Sequence, residues 1–192
     1  MASEDAAKVA LAALAGEFYF WYWLTRGDGF DVTNWIIADF LAALGAVTQT
    51  GFDLLARLGG LLDAHGNEAL VFKKNAGKFV GNYNYRGLSR LTRRSDLVVL
   101  AELGFGRETA LMLFDYIQRV LSVNVFAGEK GIPADLKAKF SVLSEMPADE
   151  PAILADADSF IRDLYGFTEE ELDFIVNYDI KYRMGDELAA DE

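Results

Sequence analysis

ALVFKKNAGKFVGNYNYRGLSRLTRRS, residues 69–95, is where the pattern of this chain changes. Before and after it the apolar residues recur at helical spacing. Inside it, Ala69–Phe72 and Lys78–Tyr85 predict short strands or extended chain, separated by a turn at Asn75-Ala76-Gly77. The fold class that follows is mainly α with a small β or extended insertion, the insertion being this segment.

The same stretch concentrates charge. It holds Lys73, Lys74, Lys78, Arg86, Arg90, Arg93 and Arg94, with no acidic residue between Glu68 and Asp96. Seven of the chain's 18 cations therefore lie in 27 of its 192 residues, although the net charge is −12. Such segregation points to an anionic partner at this segment. Asn75, Asn82 and Asn84 with Phe79, Tyr83 and Tyr85 add the amide forks and ring faces that base contact uses, while the cations suit phosphate. A solvated Gly-rich connector with half-buried strand tyrosines is the structural alternative. If residues 90–94 are helical, Arg90, Arg93 and Arg94 share one face and extend a phosphate track.

Working outward, the aromatic run Phe18-Tyr19-Phe20-Trp21-Tyr22-Trp23 closes a predicted helix from Ala6 to Leu24. A helix with rings all round needs cover from this chain or another. Phe18, Tyr19, Trp21, Tyr22 and Trp23 are accordingly candidate partner-binding residues. Helices are expected over 34–44 and from Thr50 or Gly51 to Ala64, then over 96–103, 108–125 and 133–143, and finally over 152–164 and 169–182. Pro147 and Pro151 mark a linker at 146–151, which divides a helical domain, 1–145, from a C-terminal helical hairpin, 152–185. Thr168 and Glu171 form a capping box. The tail, 186–192, is expected to fray.

Several chemistries are excluded. With no cysteine there is no disulfide framework, thiolate metal site or Cys nucleophile. The apolar run 9–24 is 16 residues long and contains Glu17, too short to span a bilayer. The acidic start MASEDAAK is unlike a secretory signal, so a soluble cytoplasmic chain without membrane contact is expected. His65, the only histidine, stands in a turn beside Gly66 and reads as a surface residue. Asp135-x-Lys137 suits the first turn of a helix, and Asp28 and Asp31 suit a turn and a cap. No phosphate-cradling glycine loop and no catalytic or metal constellation emerges.

Three separated segments resemble one family. FYFWYWLTRGDGFDVTNW (18–35), KKNAGKFVGNYNYRGL (73–88) and DLYGFTEEELDFIVNYDIKYRMG (163–185) are similar, in this order, to the carboxyl-terminal target-recognition region of large adenine-specific DNA methyltransferases of the restriction-modification type. That family binds S-adenosylmethionine through a Gly-rich turn and works through an (N/D)PP(Y/F) motif. Neither is present here, and no proline of this chain is followed by another. The resemblance implies a non-catalytic specificity subunit or fragment contacting double-stranded DNA. S-adenosylmethionine would reside on a catalytic methyltransferase partner, and this chain would hold no cofactor. The family match points to Lys73, Lys74, Asn75, Lys78, Asn82, Tyr83, Asn84, Tyr85 and Arg86 as the DNA-facing set. Two other readings stand beside it: a docking module anchored by residues 18–23, and an acidic DNA mimic, which the clustered cations oppose.

Overall fold

The computed structural model describes residues 3–27, 32–120, 131–140, 145 and 147–178. In chain order the elements are α1 (Glu4–Leu14), α2 (Glu17–Arg26), α3 (Asn34–Ala43), α4 (Gln49–Ala64), α5 (Gly66–Ala69), β1 (Leu70–Asn75), β2 (Lys78–Tyr83), α6 (Ser89–Glu102), α7 (Arg107–Val120), α8 (Ala134–Phe140), α9 (Glu150–Tyr165) and α10 (Glu169–Tyr178). The two strands form an antiparallel hairpin. The fold is mainly helical with a minor sheet, as the sequence pattern predicts. Among the described residues no helix is long and apolar enough to cross a membrane.

Helix α4 supplies the largest apolar stripe. Leu54, Leu55, Leu58, Leu61 and Leu62 are all buried, at i, i+3 and i+4 spacing. Each such leucine contributes about 2 kcal/mol of transfer free energy. Helix α1 lies against α4 at backbone distance. A Cβ added at Gly59 would stand 2.0 Å from the Lys8 carbonyl oxygen, so only glycine admits this approach. The N-terminus of α4 is fixed by α6. The Thr48 amide and hydroxyl donate to Glu102 at 2.6 and 2.7 Å, and Thr48 Oγ1 accepts from the Gly51 amide at 3.1 Å.

Helix α6 is the hub, packed by α1, α2, α4, α9 and α10. It begins at Ser89, seven residues before the expected start at Asp96, because neither of its faces is solvated. Leu91, Leu97, Val98, Val99 and Leu100 are buried, and so are Thr92, Arg93, Ser95 and Asp96. With polar and apolar residues covered alike, the helix carries little amphipathic signal.

Asp96 also explains a departure at the N-terminus. The expected single helix from Ala6 to Leu24 is two helices, α1 and α2, broken at Ala15-Gly16. The Glu17 amide donates to Asp96 Oδ2 at 2.9 Å, so a carboxylate from another helix caps α2. A Cβ on Gly16 would overlap Asp96 Oδ1 at 1.8 Å. Burial pushes the Asp96 carboxyl well up, the neighbouring Glu17 adds to this, and the Glu17 and Phe18 amides and Arg93 act against it.

The C-terminal helices share this core. Ile153, Ala157, Ile161, Tyr165, Phe167, Leu172, Ile175 and Val176 belong to one buried cluster with the residues of α1, α4 and α6. The Tyr165 hydroxyl donates to the Leu97 carbonyl at 3.0 Å. Helix α9 begins at Glu150 within the expected linker, with Pro151 in its first turn, and Gly166 ends it at φ 67°. The capping box is formed: the Thr168 amide donates to Glu171 at 2.9 Å and the Glu171 amide to Thr168 Oγ1 at 3.2 Å. Asp28, Asp31, the expected helical ends at 121–125, 141–143 and 179–182, the rest of the hairpin to 185 and the tail 186–192 lie outside the described residues.

Two outcomes test this packing. Gly59→Ala should lower stability by about 1–3 kcal/mol in urea unfolding, since the obstructing atoms are backbone. Asp96→Ala should cost about 1–3 kcal/mol by orphaning the Glu17 amide, whereas Asp96→Asn should retain much of the cap. Because the Asp96 carboxyl is raised on folding, the folded state takes up its proton more readily than the unfolded one. The stability of wild type relative to Asp96→Asn should therefore rise as pH falls through the raised range in which the folded Asp96 takes up its proton.

Candidate nucleic-acid interface

The hairpin turns at Asn75-Ala76-Gly77-Lys78, with φ of 48° at Ala76 and 80° at Gly77. Two central residues at positive φ are the I′ geometry, whose twist suits a two-residue hairpin. Glycine takes it freely, while Ala76 is held there at a cost of about 1–2 kcal/mol.

Register assigns each side chain to a face. The opposed pairs are Leu70–Tyr83, Val71–Asn82, Phe72–Gly81, Lys73–Val80, Lys74–Phe79 and Asn75–Lys78. Opposed residues share a face and neighbours alternate. One face therefore carries Lys73, Asn75, Lys78 and Asn82 with Val71 and Val80, and all but Val71 and Lys73 of these six are exposed. This is the outer face. The other carries Leu70, buried Phe72, Lys74, Phe79, Gly81 and Tyr83, with the Lys74 ammonium 5.1 Å from the Phe79 ring centre.

At the hairpin root, the Tyr83 and Tyr85 rings stack with centres 6.2 Å apart and planes inclined by 19°. The Asn84 amide donates to the Ala69 carbonyl at 2.6 Å, which clamps the root to α5. Tyr85 is half-buried, and that burial raises its hydroxyl. Asn84 is half-buried beside it. The side chain of Arg86 lies outside the described residues.

The arginines do not continue this surface. Arg90, Arg93 and Arg94 do share one side of α6, but that side faces the acidic helix α9 and the end of α10. Arg93 is 1% exposed; its Nη1 donates to the Ile175 carbonyl at 3.1 Å and its Nε stands 3.9 Å from Glu17. Arg94 grips Asp158 with both Nε and Nη2, at 2.7 and 2.9 Å, and donates to the Arg90 carbonyl at 2.7 Å. Arg90 lies 3.8 Å from Glu150. The expected phosphate track over these three is thus corrected: Arg93 and Arg94 neutralise carboxylates of their own chain.

The aromatic set is corrected in part. Phe18 and Tyr19 are 4% and 8% exposed and pack on Phe40, with ring centres 5.7 and 5.0 Å away. Trp21, Tyr22 and Trp23 are half-buried against the same core, and the Tyr22 hydroxyl donates to Asp39. Exposed apolar side chains in this N-terminal part of the chain include Phe20 at 42%, Leu24, Val32 and Trp35 at 54%. Trp35 lies outside the expected anchor cluster, 18–23. In an all-aromatic helix, periodicity does not say which ring faces out.

His65 is also corrected, from surface turn to buried clamp. Its Nδ1 lies 2.6 Å from Glu68 and its Nε2 3.0 Å from Glu150. The Glu68 contact is legible as an i, i+3 spacing; the Glu150 contact is not, since it crosses 85 residues. Among the described residues no group of three or more His, Asp or Glu side chains is arranged to hold a metal ion. Comparison with protein-family models, with curated proteins and with solved structures finds no match for this chain.

Arg94→Ala should leave Asp158 without its bidentate partner and lower stability by about 1–3 kcal/mol. Any duplex affinity of the folded variant should be unchanged, and titration of labelled DNA at constant salt measures this directly.

Proposed function

We propose that this chain is a non-catalytic DNA-recognition element, a specificity subunit or fragment of an adenine-specific methyltransferase system, and that the outer hairpin face makes the contact. One observation carries the reading: Lys73, Asn75, Lys78 and Asn82 lie on one face of a two-stranded ribbon, in a chain whose net charge is −12. A major groove about 12 Å wide admits such a ribbon. The Val71–Asn82 and Asn75–Lys78 pairs lie four residue steps apart, a span of about 13 Å along the strands.

The roles divide by chemistry. Lys73 and Lys78 neutralise phosphates and set register. Asn75 and Asn82 present amide forks of the kind that pair with adenine N6 and N7. The sequence resemblance to the methyltransferase recognition region supports adenine-containing targets. The catalytic chemistry and S-adenosylmethionine belong, on this reading, to a partner subunit or domain.

Duplex binding measured by fluorescence anisotropy tests it. Two lysine–phosphate contacts give a slope of log affinity against log salt of roughly −1.8, a loss of about twelvefold between about 50 and about 200 mM. Lys78→Ala should reduce the slope by about 1, and Asn82→Ala should cost about 1–3 kcal/mol at the preferred site while sparing other sequences. Binding that ignores salt, or that survives Lys73→Ala with Lys78→Ala unchanged, would defeat the proposal.

A second reading rests on the exposed apolar side chains Phe20, Leu24, Val32 and Trp35 in the N-terminal part of the chain. Exposed rings on neighbouring helices suit docking on a protein subunit. A chain that ignores DNA at low salt but co-purifies with a catalytic subunit, and loses it on Trp35→Ala, would favour docking.

A further inference from the structure

His65 ends α4 and precedes α5, at the foot of the hairpin, and it is 6% exposed. Three elements bring charged groups to it. Glu68 of α5 meets Nδ1 at 2.6 Å, and Glu150, the first residue of α9, meets Nε2 at 3.0 Å. Arg90 of α6 stands 3.8 Å from the second oxygen of Glu150. An ionised carboxylate only accepts hydrogen bonds, so each of the two contacts needs an N–H on the ring. Only the imidazolium form has two.

We propose that His65 is a proton-operated latch which, in its cationic form, ties the hairpin foot to the first turn of α9 and releases it when the proton leaves. Deprotonation transfers one ring proton to solvent and leaves a single N–H. The Glu68 contact is local, at i, i+3, and retains that N–H at Nδ1. Nε2 then turns a lone pair toward the Glu150 carboxylate, whose charge Arg90 still answers. The bond lost is the one spanning 85 residues, between the hairpin root and the C-terminal helices. Histidine is the side chain suited to such a change near neutrality. The latch does not depend on what the hairpin binds.

The chain has a single histidine, so its ring signals identify themselves in the NMR spectrum. Two slowly exchanging ring N–H signals are expected at the acid end of a pH titration and one at its alkaline end. Urea unfolding supplies a second readout. The cationic ring makes its second carboxylate bond only in the folded chain, so that stabilisation is present at low pH and lost as pH rises. The folding equilibrium constant of wild type should fall roughly tenfold relative to Glu150→Gln across that titration, the worth of one charge-assisted hydrogen bond. The amide of the Glu150→Gln variant serves either ring state, since it both donates and accepts. Glu68→Gln should keep most of the pH dependence. One ring N–H at every pH, or two at every pH, would overturn the latch. So would equal pH dependence in wild type and Glu150→Gln, or its loss in Glu68→Gln alone.

Discussion

A buried guanidinium sets the terms for the rest of this molecule. Arg93 is withdrawn from water on α6, with Glu17 of α2 at 3.9 Å, Asp96 one turn along its own helix and the Ile175 carbonyl of α10 at 3.1 Å. Desolvating such an ion costs several kcal/mol, and only surrounding acceptors offset it. Three helices must therefore be in place together: α2, α6 and α10. Removing one member leaves the others charged and dry, which is the expensive outcome. Asp96 extends the arrangement by capping α2 through the Glu17 amide at 2.9 Å. The same carboxylate that faces Arg93 thus decides where the N-terminal helix breaks.

From this hub the charge distribution of the chain becomes intelligible. Helix α9 brings Glu150, Asp156 and Asp158 to Arg90, Arg57 and Arg94 respectively. Two of the arginines in the central segment, Arg93 and Arg94, are consumed in internal neutralisation. Lys74 and Lys78 are exposed near the turn. The arginines hold the ribbon's foundation, since α6 follows the hairpin directly, and the lysines and asparagines form its outer face.

Much of the outline is legible in the letters. Period-3.6 leucines at 54, 55, 58, 61 and 62 announce α4, and Thr168 with Glu171 announces the start of α10. Asn75-Ala76-Gly77 announces the hairpin turn, and the alternating residues around it announce strands. These signals are local: a cap, a turn or an amphipathic stripe is decided by residues within four positions of one another. The division at 146–151 is read from prolines, but Pro151 serves as a helix start and the C-terminal pair joins the common core.

The helical class, the hairpin and the concentration of cations beside it thus follow from the order of residues. Which of those cations meet solvent is settled by packing. A lysine or arginine carries the same charge whether it faces water or an acceptor 64 or 82 residues away. Arg93, Arg94 and His65 all read as surface groups because their distant partners, on α2, α9 and α10, are absent from their own neighbourhood in the sequence. Local spacing fixes which side of a helix a residue occupies; the covering of that side is a long-range event, and it turned a predicted binding track into the interior of the protein.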